Sequence, residues 1–98
     1  MQEYDWPTPE QIRRAWSATV SALPVGTRIT GQVVECWPFG VFLRIDGVPH
    51  AVGLADIGSM PHGASLPALG DQISGAVVWH TDHNHQVRIR FSEWIDHS

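Results

Sequence analysis

The chain has 98 residues and a formal charge of −4, from ten acids against six arginines, with no lysine. That length supports one domain with one modest core and excludes two independent ones. The acidic balance excludes a strongly basic nucleic-acid binder as a property of the whole molecule and leaves only a local basic face.

No apolar stretch approaches the roughly 20 residues that span a bilayer. The opening Met1-Gln2-Glu3-Tyr4-Asp5-Trp6 lacks the basic and apolar regions of a signal peptide. The single cysteine, Cys36, makes neither an internal disulfide nor a cysteine zinc cage. A cytoplasmic domain with no membrane partner is the expectation.

The first element is a helix. Thr8 suits the N-cap, Pro9 the first helical position, and Glu10 and Gln11 the first turn. Ile12, Trp16, Thr19, Val20 and Leu23 then recur at helical spacing until Pro24 ends the run. Trp6, just ahead of the cap, is placed as a hydrophobic staple. From Thr27 the period becomes two. Thr27–Cys36 reads as a first strand, rich in Thr, Val and Ile. Val41, Leu43 and Ile45 alternate with Phe42 and Arg44 in a second, which ends at the hairpin signal Asp46-Gly47. A third strand falls between about His50 and Ala55. Residues 58–70 read as loop, with one short helical turn near Asp56. Gln72–His80 is a fourth strand, Asp82-His83-Asn84-His85 a turn, and Val87–Phe91 a fifth strand with unbroken alternation.

Five short strands with a long third connection fit an all-β, antiparallel Greek-key barrel of the OB type, which removes the edges of a small sheet. Its interior is expected to hold Ile29, Val33, Val41, Leu43, Ile45, Leu54, Ile73, Val77, Val87, Ile89 and Phe91. The first and fourth strands also carry Val34, Ala76 and Val78 on their other face. The helix stripe is expected to cover that patch, leaving the outer faces of the second and third strands free.

Five fragments in series carry a resemblance: Leu23-Pro-Val-Gly-Thr-Arg-Ile-Thr-Gly-Gln-Val-Val, Phe39-Gly-Val-Phe-Leu, Gly53-Leu-Ala-Asp-Ile, Leu69-Gly-Asp-Gln-Ile and Arg88-Ile-Arg-Phe-Ser. In order and spacing, from about residue 24 to residue 92, the chain resembles the S1 RNA-binding domain. The resemblance implies an OB-fold barrel that binds single-stranded RNA on the face of its second and third strands, without catalysis or cofactor. It divides the chain into a helical extension (1–24), the barrel (25–94) and a tail (95–98). It matches the family's stacking rings to Phe39 and Phe42, its basic residue to Arg88, and its acidic residue to Asp82 or the neighbouring Thr81. Asp56 stands where the family commonly has a histidine, with His50 on the preceding strand as a substitute.

The residues themselves agree in part. Phe42 and Arg44 share one face of the second strand, and Arg88 and Arg90 share one face of the fifth. Aromatic rings beside arginines offer stacking and phosphate contacts, and Trp37 extends the set. The bland alternative for the phenylalanines is packing at the barrel mouth, and for the arginines simple solvation. Trp16, Trp79 and Trp94 read as structural, and Cys36 as an inert core thiol. His80, Asp82, His83 and His85 have metal-ligand chemistry but no recognised zinc spacing, so no metal is assigned. No paired-carboxylate, nucleophile-base or phosphate-loop constellation is present, so no enzyme is expected. The leading expectation is weak, sequence-tolerant binding of single-stranded RNA, alone or within a larger ribonucleoprotein complex. The alternatives are a protein-interaction module on the same barrel and a metal-binding regulator built on the histidine hairpin.

Overall fold

A computed structural model describes residues 7–61 and 63–94; the proposed Trp6 staple and the 95–98 tail lie outside them. Helix α1 spans Pro9–Ala22 and starts with a complete capping box. The Thr8 hydroxyl accepts from the Gln11 backbone N–H, and the Gln11 side chain accepts from that of Thr8. The strands are β1 (Arg28–Trp37), β2 (Gly40–Ile45), β3 (Val52–Asp56), β4 (Gln72–Thr81) and β5 (Gln86–Phe91). Single 3-10 turns follow β3 (Ile57–Ser59) and β5 (Ser92–Trp94). Gly47, in the turn after β2, has a φ of 84°, as the hairpin signal requires.

The strands close into a barrel in the order β1-β2-β3-β5-β4. Four neighbouring pairs are antiparallel, and β3–β5 is parallel through Gly53 opposite Val87 and Leu54 opposite Arg88. This refines the all-antiparallel expectation by parity. Alternating directions cannot close a ring with an odd number of strands, so at least one seam must run parallel. Parallel neighbours also need a long crossover. Here the chain leaves β3, passes along the 57–71 connection to β4, and returns as β5.

Leu43, Ile45, Ile89, Val33, Val41, Val77 and Val87 fill the barrel and are fully buried. Leu23, Ala51, Ala55, Phe91 and Trp94 extend this core, with the Phe91 and Trp94 rings 4.5 Å apart. Two expected interior residues differ. Ile73 is only partly buried, packing against the core. Leu54 is buried but stands apart from the core, because its register partners Phe42 and Arg88 both face outward. Its side chain lies over Gly40, where an added Cβ would come within 3.0 Å of Leu54 Cδ1 and 2.7 Å of the Ala55 carbonyl oxygen. Only glycine lets the two strands approach this closely.

The helix also docks differently from the expectation. Its buried residues lie toward its C-terminal end: Thr19 within α1 and Leu23 just beyond it. The Trp16 ring meets His80 and His85 edge-on, with centroids 6.2 and 5.4 Å away, and Nε1 donates to Asp82 Oδ1 at 2.9 Å. His80 Nε2 donates to the Leu23 carbonyl at 2.6 Å. The stripe therefore grips the end of β4 and the β4–β5 turn, and Val78 stays 40% exposed. Because Trp16 is half-buried, Trp16→Ala is expected to cost about 2 kcal/mol, short of the roughly 3–5 kcal/mol of a fully buried ring. Denaturant unfolding measures this, and a loss under about 0.5 kcal/mol would show that Trp16 does not anchor the helix.

Candidate nucleic-acid interface

A strand presents alternate residues to opposite faces, so counting from a core residue fixes every direction until the register slips. It slips twice here. In β1, Val33 pairs with Leu43 and Glu35 with Phe42, leaving Val34 as the extra residue. In β4, Val77 pairs with Ile89 and Trp79 with Arg88, leaving Val78 extra. Such bulges re-aim the side chains beyond them. Unbroken alternation would turn Glu35, Trp37 and Trp79 toward the core with Val33 and Val77. Both bulges turn them outward instead.

One row of outward residues then crosses the sheet: Glu35, Phe42, Leu54, Arg88 and Trp79, from β1 through β2, β3 and β5 to β4. Leu54 forms its buried floor. At its β1–β2 end stand three rings in sequence. Trp37 and Phe39 lie near-parallel, 14° between planes and 6.2 Å between centroids. Phe39 meets Phe42 edge-on at 6.0 Å. Glu35 Oε1 accepts from Trp37 Nε1 at 2.8 Å and holds the indole. Trp37 and Phe39 are each about half exposed. The packing alternative for the two phenylalanines therefore fits Phe42, half-buried over the sheet, better than Phe39.

The electrostatics are local and mixed. Arg88 Nη1 donates to Asp56 Oδ2 at 3.1 Å, while Asp56 Oδ1 accepts from the Gly58 N–H at 2.7 Å and caps the turn after β3. The carboxylate that replaces the expected histidine thus holds the site's central arginine. Arg88 Nε is buried with no hydrogen-bond partner among the described residues. Arg44, on the outer face of β2 with Phe42, makes one long contact to Gln32 at 3.4 Å.

Other residues singled out in the sequence lie elsewhere. Arg90 faces outward like Arg88, but pairs with Ala76, which pairs with Arg28 on β1; this second row continues around the barrel. His50 is exposed in the turn before β3, beyond the Arg44–Val52 pair and so at the other end of that hairpin from Phe39. Asp82 is committed to Trp16 in the β4–β5 turn. His80 and His85 are engaged with α1, and among the described residues no three His, Cys, Asp or Glu side chains converge as a metal site. Cys36 pairs with Val41 as a core-facing residue would, but at the open end of β1. It is exposed there, with Sγ 3.6 Å from the Pro67 carbonyl, and is not a core thiol.

Trp79, which reads as structural from the sequence, is 64% exposed. Val77-Val78-Trp79 reads as a continuous apolar run, and nothing local to it signals the bulge.

No protein-family model and no curated protein matches the chain. Solved structures do. RNase R from Mycoplasma genitalium in complex with ribose-methylated single-stranded RNA superimposes with a TM-score of 0.67 at 15% identity, covering 81% of this chain and 14% of that one. The chain has an S1-like OB fold. The a/eIF2α–aDim2p–rRNA complex from Pyrococcus horikoshii gives a TM-score of 0.60 at 14% identity, over 70% of this chain and 44% of that one. GSP13 from Bacillus subtilis gives 0.54 at 24%, over 71% and 55%. The S1-like barrel thus spans only part of each of these chains. Among the described residues no helix is long and apolar enough to cross a membrane.

Because Asp56 is 54% exposed and Arg88 28%, their ion pair is expected to be weak. A double-mutant cycle over Asp56→Ala and Arg88→Ala should return a coupling below about 1 kcal/mol that shrinks with added salt. A coupling of several kcal/mol, indifferent to salt, would contradict the solvated geometry.

Proposed function

We propose that this barrel is a non-catalytic module that binds single-stranded RNA weakly and with little sequence preference. The observation that carries the reading is the run of three rings, Trp37 and Phe39 exposed and Phe42 half-buried, continued along the same outer row by Arg88. Every base has a π-face, so stacking on such rings is sequence-tolerant, and a guanidinium beside them meets the phosphates. The RNA-bound structures among the neighbours support the same reading. Arg44 serves as a second phosphate contact.

Weakness follows from charge. Few arginines serve the face, and Asp56 competes with phosphate for Arg88. The dissociation constant is expected to be on the order of 10⁻⁴ to 10⁻⁶ M. Phe39→Ala and Phe42→Ala should each cost roughly 1–3 kcal/mol with little change in salt dependence. Arg88→Ala should instead reduce the salt slope by roughly 0.7. Asp56→Asn should tighten binding by releasing Arg88. Fluorescence anisotropy with labelled oligouridylate over a salt series reads all four. No binding at low salt, by wild type or Asp56→Asn, would sink the proposal. The paired Arg88 and the net charge of −4 would then favour the second reading, in which the same face docks a protein.

A further inference from the structure

We propose that Trp79 is the far end of the nucleic-acid track, a base-stacking platform on β4 separated from Phe42 by the Leu54 floor and Arg88. This rests on the RNA reading above and extends its footprint across four strands.

Three observations carry it. Trp79 is 64% exposed, and its indole has no ring or hydrogen-bond partner among the described residues. A large apolar ring left in water contributes little to the core, while its face and N–H remain ready for a ligand. Its direction is also specified. The β4 bulge at Val78 turns Trp79 outward at the position opposite Arg88, just as the β1 bulge at Val34 turns Glu35 outward opposite Phe42. Two separate register slips thus aim side chains into a single row.

The third observation is charge. On the β1 side of Phe42 stands Glu35, which repels phosphate; on the other side stands Arg88, its charge offset by the solvated pair with Asp56, with Arg90 two residues along the same face of β5. A strand stacked on Phe39 and Phe42 is therefore drawn across β3 and β5 toward Trp79. Three interstrand steps separate Phe42 from Trp79, about 14 Å at the usual spacing. That equals about four nucleotides at the ~3.4 Å separation of stacked bases, and fewer in a stretched strand. A short oligonucleotide occupies the phenylalanine end alone, and a longer one reaches the tryptophan.

The test compares a uridine trimer with a uridine octamer at low salt, using wild type, Trp79→Ala, Trp79→Phe and Phe42→Ala. Trp79→Ala should lower octamer affinity about five- to 150-fold, the range corresponding to roughly 1–3 kcal/mol per stacked base, and leave trimer affinity within about twofold. Trp79→Phe should retain most of the octamer affinity, and Phe42→Ala should weaken both ligands. If Trp79→Ala binds the octamer like wild type while Phe42→Ala loses affinity, the track ends short of β4 and this inference is wrong while the RNA reading stands. Equal losses on both lengths also overturn it, because the role of Trp79 would then be structural. Failure of wild type to bind either ligand removes the RNA reading and this extension together.

Discussion

The arrangement of the candidate face depends on one constraint, the two-residue period of a β-strand. A closed barrel fixes which residues of each strand face inward, and only a register slip exchanges the two faces. β1 and β4 each slip once, at Val34 and Val78. Without these slips Glu35, Trp37 and Trp79 would compete with Val33 and Val77 for the interior. Among the described residues, two of the three exposed tryptophan and phenylalanine rings therefore owe their exposure to extra residues in the ladder; Phe39 owes its own to the β1–β2 turn.

The acidic composition takes on a different meaning once its carboxylates are located. Asp46 Oδ2 accepts from Thr30 and from Gln72, tying together β1, β4 and the end of β2. Asp71 accepts from the Ala68 N–H ahead of β4, Asp82 holds the Trp16 indole, and Glu10 pairs with Arg14 along α1. These acids satisfy local donors away from the aromatic row. Glu35 stands at the end of the row and Asp56 beside it, and each is engaged there, Glu35 by Trp37 and Asp56 by Arg88. Net charge accordingly bounds the strength of any RNA contact without deciding whether the face can make one.

Signals carried by adjacent residues were legible in the sequence. Thr8-Pro9-Glu10-Gln11 announces the helix start, Asp46-Gly47 the hairpin, and the strict alternation of Val87–Phe91 the fifth strand. The clustering of Trp37, Phe39 and Phe42 was also readable, because all three lie in or beside one hairpin. What depended on distant pairing was hidden. The bulges exist only in relation to partner strands, so Trp79 reads as structural from the sequence and its outward direction has no local signal. The local pattern points Leu54 inward, and register with Phe42 and Arg88 reverses that direction. The exposure of Cys36 reflects where the barrel ends, and the docking of α1 reflects contacts with a turn some sixty residues away, at Asp82. The parallel β3–β5 seam follows from counting strands around the ring, a global property that no single segment carries.

The central claim is that the outward row from Trp37 to Trp79 is the RNA-binding face of the barrel. The most direct measurement is an NMR titration of isotopically labelled protein with single-stranded RNA, following backbone amides and indole N–H groups together. The account predicts shifts concentrated on Trp37, Phe39, Phe42, Leu54, Arg88 and Trp79, with Thr30, Ser74 and α1 unaffected. Shifts confined to the β1–β4 outer face, or to the helix and the β4–β5 turn, would contradict it.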